Sequence, residues 1–214
     1  GGPQQGVTFG TNYAGDLGQN TAGHPAMRSS PVQIMGGGDL FGQNAWESGQ
    51  QVSGAMRAVK RDGTLWTWGN NDNGELGLND RARYSSPVQI PGNWLPIMDY
   101  SRIMSNSSGY VVMAMKQRFG AESPQYGKDL FMWGTNYYGK LGQGEAPASR
   151  AAYSSPVQVP GDWLMGSGGG SGGPYGGIKS DGSMWLWGEH QWGGLAQNET
   201  WSPSKKGESS PVQV

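Results

Sequence analysis

The sequence predicts an all-β fold: β-propeller-like blades built from short antiparallel four-stranded repeats. Three observations predict it: a composition rich in glycine and poor in charge, a motif that recurs four times with fixed internal spacing, and a second motif in phase with the first. The 214 residues include 39 Gly and 13 Pro, and only 14% are charged, against about a quarter in an average globular domain. Such a mix disfavours long surface helices and suits short strands joined by many turns. Hydrophobic residues make up 35%, yet there are 10 Trp and 10 Met. A few large side chains must therefore supply most of the burial.

The first motif reads FGTNYAGDLG at Phe9–Gly18, WGNNDNGELG at Trp68–Gly77, WGTNYYGKLG at Trp133–Gly142 and WGEHQWGGLA at Trp187–Ala196. Its pattern is [WF]-G-x4-G-x-L-[GA]. The second, Ser-Ser-Pro-Val-Gln, follows each copy at 29–33, 85–89, 154–158 and 209–213. Two phased motifs mark an internal repeat. The chain is one repeat domain over 1–214, with units at approximately 1–34 (partial), 35–90, 91–159 and 160–214. It reads as part of a longer array, as blades completed by neighbouring subunits, or as an open or smaller structure.

One unit shows how the elements arise. AMRAVK (Ala55–Lys60) is a short, apolar-leaning run. Arg61-Asp62-Gly63 supplies a hairpin turn, because Gly tolerates the positive φ that a tight turn needs. TLWTWG alternates, placing Trp66 and Trp68 on one face of a strand that ends at Gly69. NNDNG is turn chemistry. Leu76 returns to the core. SSPVQI is an edge strand, since its Pro removes one ladder donor. A sheet of about four such strands cannot bury both faces alone; stacking successive sheets around an axis does so.

The stretch K-R-D-G-T-L-W-T-W-G-x4-G-x-L-G-x-N, followed by S-S-P-V-Q-I-P-G, resembles the regulator-of-chromosome-condensation type of propeller repeat. KSDGSMWLWG (Lys179–Gly188) and DLFMWGTNYYGKLGQG (Asp129–Gly144) are similar, the latter preceded by an insertion at Gln117–Lys128. The resemblance covers nearly the whole chain and implies blades packed face to face. The family commonly carries Gly-x-x-His before the hairpin turn; VSGAMRAVK, NSSGYVVMAMK and GGPYGGIK replace it here.

Repetition also sorts candidate sites. The expected structural core is Phe9, Gly10, Leu17, Trp66, Trp68, Gly69, Leu76, Trp133, Gly134, Leu141, Trp185, Trp187, Gly188 and Leu195, because residues recurring at one repeat position pack blade on blade. Trp94 and Trp163 follow Pro-Gly-x and read the same way. Trp46, Trp192 and Trp201 fall outside that frame and are the candidate contact surface. Asn70, Asn71, Asp72 and Glu75 could cup calcium, but the set does not recur and reads as turn chemistry. His24 and His190 are too far apart in sequence for a local metal motif. Gly169–Gly173 satisfies G-x-S-x-G, and Gly168–Gly173 satisfies G-x-G-x-x-G, without the strand–turn–helix or βαβ context either needs. The surrounding run, Gly166–Gly177, reads as a permissive glycine loop. Asn106-Ser-Ser and Asn198-Glu-Thr match a glycosylation acceptor, a pattern common by chance. No paired carboxylates recur with acid–base geometry.

The functional expectation is a non-enzymatic structural and interaction protein without cofactor or metal, bound to other copies of itself or to other particle or surface proteins. A net charge of −1 without a basic stripe argues against a nucleic-acid partner. No apolar run has membrane-spanning length. The absence of cysteine excludes disulfides and fits an extracellular or virion setting: a phage tail, fibre or capsid-associated protein, or a bacterial surface component. Two alternatives stay open: a glycan-binding module using the out-of-frame tryptophans, and an exchange factor or ubiquitin-pathway scaffold of the eukaryotic family type.

Overall fold

The computed structural model describes residues 7–23, 27–34, 45–52, 54–95, 101–102, 110–118, 127–145, 151–168, 173–189, 193–198 and 207–214. Within them the regular secondary structure is almost entirely antiparallel sheet. Strands β3 (Trp46–Val52), β4 (Ala55–Lys60), β5 (Leu65–Gly69) and β6 (Tyr84–Ile90) pair in sequence order as one four-stranded blade. The hairpin between β4 and β5 has the predicted chemistry. Lys60 N–H donates to the Thr64 carbonyl and Gly63 lies at φ +80°. Asp62 Oδ1 accepts from the Thr64 N–H and hydroxyl, and that hydroxyl accepts from Trp66 Nε1 at 2.8 Å. Asp181, Ser183 and Trp185 repeat the same chain of bonds.

The first unit contributes β1 (Val7–Gly10) and β2 (Arg28–Gln33), which correspond to the last two strands of a blade. The next blade comprises Trp94–Leu95, β8 (Val111–Gln117), β9 (Lys128–Thr135) and the first half of β10 (Ala152–Ser167). The second half of β10 opens the last blade, with β11 (Pro174–Lys179), β12 (Met184–Glu189) and β13 (Gly207–Gln213). A short strand β7 (Ser101–Arg102) runs parallel to Gly166–Ser167. Residues 101–102 of the 91–159 unit thus lie beside the first strand of the last blade, as stacking around an axis requires.

Every Ser-Ser-Pro-Val-Gln strand carries a register shift. The ladder skips between Thr8 and Gly10, Thr67 and Gly69, Tyr153 and Val157, and Leu186 and Gly188. Pro31, Pro87, Pro156 and Pro211 sit in these bulges, where the missing N–H costs no ladder bond. Each Ser-Ser-Pro-Val-Gln segment pairs on one side only among the described residues.

Gly166–Gly177 is not the single loop expected from its composition. Met165–Ser167 pairs with Gly176–Ile178, and residues 168 and 173 flank the strands. The glycines serve close packing: a Cβ at Gly177 would lie 2.7 Å from the Trp163 ring, and one at Gly176 would lie 2.7 Å from Leu186. Residues 169–172, which hold most of both glycine-motif matches, fall outside the described residues.

Packing is blade on blade. Val59, Leu65 and Ile90 of the 46–90 blade meet Trp94, Val112, Ala114 and Trp133 of the next. Met115, Leu130, Met132 and Val159 meet Trp163, Tyr175 and Trp187 of the last. Ile34 of the first unit meets Ala58 and Trp68.

Candidate interaction surface

The joints between units show what the repeated residues do. The turns after Phe9, Trp68 and Trp133 are each built by one asparagine. Asn12, Asn71 and Asn136 are buried, and the Oδ1 of each accepts from the N–H of Leu17, Leu76 and Leu141 at 3.0 Å. Their amides donate onward, Asn71 to the carbonyls of Asp80 and Ala82. A closed turn of this kind holds the carbonyl just before the leucine toward the neighbouring unit. Trp68, Trp133 and Trp187 donate their indole N–H to the carbonyls of Asp16, Glu75 and Lys140 at 2.9–3.0 Å. All three rings are fully buried. Gly18, Gly77 and Gly142 take positive φ and lie against those rings, where a Cβ would sit 2.9–3.2 Å from the indole nitrogen.

The serines of the second motif belong to the same joints. The carbonyls of Ser85, Ser154 and Ser209 accept from the N–H groups of Asn20, Asn79 and Gly144. The hydroxyls of Ser86 and Ser155 donate to Asn20 and Asn79. Both motifs recur because each joint consumes one copy of each.

Trp46 is not outside the repeat frame. It pairs across strands with Lys60, as Trp94 does with Lys116 and Trp163 with Lys179. In each unit the lysine ammonium lies over two rings, at 5.0 and 4.5 Å for Trp46 and Trp66, 4.2 and 4.7 Å for Trp94 and Phe131, and 5.4 and 3.6 Å for Trp163 and Trp185. These are cation–π arrangements. Burial draws Lys60 and Lys116 below the usual lysine range, opposed by Asp62 and Asp129. Trp46 is half-buried, edge-on to Trp66 with centroids 6.3 Å apart. The sequence hid this because the Trp–Lys spacings are 14, 22 and 16 residues; a cross-strand pair tolerates any loop between its members. The other two contact candidates, Trp192 and Trp201, fall outside the described residues, as do His24 and His190.

Phe9 and Gly10 correct the expected core at one end. Phe9 occupies the position of Trp68 but is 63% exposed, and Gly10 is exposed too, because no turn from another unit covers them among the described residues. At the opposite end, the face that is covered on the earlier blades stands open. Met184 is 48% exposed and Val214 54%, where their counterparts Leu65 and Ile90 are buried. Met165, Gly166, Ile178, Met184 and Leu186 line an apolar cavity of about 260 Å³ on this face. Beside it, Gly193, Ala196 and Asn198 hold the left-handed φ values of the joint turns. Among the described residues no indole reaches the Gly194 carbonyl, which stands where Asp16, Glu75 and Lys140 accept theirs.

The calcium candidates face separate partners. Asn71 closes its turn, Asp72 pairs with Arg83 at 2.7 Å, and Glu75 accepts from Asn70 and from the Asn73 N–H. Among the described residues no cluster of three or more His, Asp or Glu is placed to hold a metal ion. The ends of the Gln117–Lys128 insertion are strand residues. Within it, Arg118 bridges Asp129 at 2.9 Å and Asp162 at 3.3 Å.

Arg57 stands apart. It is 1% exposed, and its Nε and Nη1 have no hydrogen-bond partner among the described residues. Burial lowers its pKa from 12.5 to about 9, and Glu75 only partly offsets this. Met113 and Gly176 fill the equivalent positions. Arg57→Met is expected to stabilise the chain by about 1–3 kcal/mol at neutral pH, read by urea unfolding. The native pKa lies below the unfolded one, so the unfolded state binds more protons between them and wild-type stability gains from rising pH. The gap between variant and wild type should therefore narrow above pH 9; a gap independent of pH would contradict a buried charge as its cause.

Comparison with known proteins follows the same lines. Residues 62–98 match the model described as "Regulator of chromosome condensation (RCC1) repeat". The chain is 30% identical over 89 residues to human "Probable E3 ubiquitin-protein ligase HERC4", covering 42% of this chain and 8% of that protein. It is 30% identical over 112 residues to human "Protein RCC2", covering 50% and 18%. Among solved structures it is similar to human WBSCR16, with TM-score 0.67 and 16% identity over all of this chain and 48% of that one. It is also similar to Prp20p of Saccharomyces cerevisiae, with TM-score 0.62 and 14% identity over 97% and 45%. The chain therefore spans less than a fifth of those curated relatives and about half of those propeller structures.

Proposed function

Because the chain carries propeller repeats of the regulator-of-chromosome-condensation type, we propose that it is a non-catalytic protein-binding component. The carrying observation is where the repeated residues go. The tryptophans, turn asparagines and motif serines are consumed in joining units, which leaves the variable loops and blade faces for partners. Fold alone does not assign a partner. The setting we propose is the outside of a virus particle or bacterial cell, as a tail, fibre, capsid-associated or surface component. Its support is the 14% charge, the absence of cysteine and the abundance of glycine.

A second reading is favoured by one observation. Prp20p, which binds Gsp1p and histones, shares the fold. On that reading the chain is an exchange factor or scaffold inside the cell. Immunogold labelling of the source particle or cell separates the two. Label on the outer surface supports the first reading; label confined to the interior, with accelerated nucleotide release from a small GTPase, supports the second and overturns the first. A glycan array run beside it tests the remaining alternative. Binding lost in Trp192→Ala or Trp201→Ala would make the chain a glycan-binding module instead.

A further inference from the structure

Gly15, Gly74 and Gly139 press on the first serine of the next unit's Ser-Ser-Pro-Val-Gln segment, at Ser85, Ser154 and Ser209. The residue before that glycine changes from unit to unit: Ala14, Asn73 and Tyr138. Asn73-Gly74 is the one Asn-Gly pair in the 214 residues. An asparagine amide is open to attack by the backbone nitrogen that follows it, and a following glycine has no Cβ to crowd that nitrogen. Packing keeps the glycine in place, since a Cβ at Gly74 would lie 2.7 Å from Ser154 Cα. The closed turn occupies both reacting groups. Gly74 N–H donates to the Asn71 carbonyl at 3.1 Å. Asn73 Nδ2 donates to Glu75 Oε1 at 3.3 Å, and the Asn73 N–H to Glu75 Oε2 at 2.7 Å. Glu75 is fully buried, and its carbonyl accepts the Trp133 indole N–H at 2.9 Å.

We propose that Asn73 is a deamidation site gated by the joint between the 46–90 blade and the next, and that its conversion keeps that joint from reseating. Opening the joint releases Glu75, and with it the Asn73 amide. Hydroxide then takes the Gly74 amide proton, and the nitrogen attacks Asn73 Cγ. The N–Cγ bond forms, the Cγ–Nδ2 bond breaks, and Nδ2 leaves as ammonia after taking a proton from water. Water opens the resulting succinimide at one of its two carbonyls. Opening at Cγ gives aspartate; opening at the main-chain carbonyl gives isoaspartate, with the chain running through Cβ. Aspartate sets a second carboxylate beside Glu75 in place of the 3.3 Å donor, and like charges in a buried site repel. Isoaspartate adds a backbone atom inside the ring that the Gly74–Asn71 bond closes. The site thus keeps an irreversible record that this joint has opened. The inference concerns the interior of the chain and is independent of partner and cellular location.

The experiment incubates the whole chain at mildly alkaline pH and follows each asparagine by peptide mass mapping and isoaspartate-specific methyl transfer. A synthetic peptide spanning Asn70–Leu78 is the ungated reference. Folded wild type should convert at Asn73 before any other asparagine, and about a hundredfold or more slower than the peptide. Trp133→Phe removes the donor to the Glu75 carbonyl and should speed conversion by about three- to tenfold. Trp187→Phe, at the following joint, should stay within about twofold of wild type. Asn73→Asp installs one product directly and should raise hydrogen exchange at the Leu76 amide by about tenfold. Asn73→Ala loses the same donor without adding charge and should raise it less. A folded chain that converts as fast as the peptide overturns the gate. So does equal acceleration by the two tryptophan variants, which would place the gate at global unfolding. Asn73 left intact in Trp133→Phe after the peptide has fully converted, or another asparagine converting first, overturns the site. Wild-type exchange in Asn73→Asp overturns its effect on the joint.

Discussion

Trp133→Ala should destabilise the chain by about 3–5 kcal/mol, the usual range for emptying a tryptophan site in a core. The ring is fully buried between two blades, 5.9 Å from Trp94, with Gly77 pressed against its edge. Its loss also leaves the Glu75 carbonyl without its 2.9 Å donor, a further cost of about 1 kcal/mol or more. Whole domains hold only about 5–15 kcal/mol, so the variant should lose most of its margin. Chemical denaturation followed by circular dichroism measures it. Trp133→Phe should fall between, keeping most of the apolar contact and losing the donor. The internal control is Phe9→Ala at the same repeat position, which should cost no more than about 0.5 kcal/mol because that ring is 63% exposed. Equal costs at the two positions would mean that the joints are not what holds the blades together.

The same contrast explains what the sequence made legible. A position that recurs at fixed spacing within one unit could be read directly. Gly63, Asn71, Gly74, Leu76 and Pro87 form local turns and bulges whose chemistry is complete within a few residues. From these the blade, its strand order and its edge strand follow. Contacts between units could not be read in this way. The Trp68–Asp16, Trp133–Glu75 and Trp187–Lys140 bonds span 52, 58 and 47 residues and end on backbone carbonyls, which carry no residue signature. Trp46 was misplaced for a related reason. Its partner Lys60 is fixed by strand register, and the Pro-Gly that flags Trp94 and Trp163 is absent before it. A search for tryptophan paired with the lysine that precedes each hairpin, with free loop length, would have found it. Exposure at Phe9 was hidden because burial there depends on what lies beyond the described unit, not on the residue.

Lys140 and Glu189 form the one ion pair among the described residues with both side chains buried, 3.2 Å apart and 7% and 6% exposed. It crosses the joint between the last two blades, and at its loop position the other joints differ. Asp16 leaves an Oδ1 buried without a donor, and burial raises its pKa despite the opposing charge of Arg83. Glu75 is held within its own turn by Asn70 and Asn73. Removing one member of a buried pair strands the other, so Lys140→Met should cost about 3–5 kcal/mol. Glu189 would then remain buried near Tyr175, whose hydroxyl is already raised in pKa by burial and secondarily by that carboxylate. Lys140→Met with Glu189→Leu should recover most of the loss, since a well-packed apolar pair often equals or exceeds a buried ion pair in stability. The double-mutant cycle then gives a coupling well above the 0–1 kcal/mol of exposed pairs. Stability is not the only readout. Joints built on one template invite the wrong turn to seat on the wrong blade, a failure typical of repeat proteins. A wrongly seated Lys140 would lie buried without Glu189. The double variant should therefore refold with lower yield than wild type at matched stability. Equal yields would assign the pair to stability alone and leave the order of the blades to connectivity.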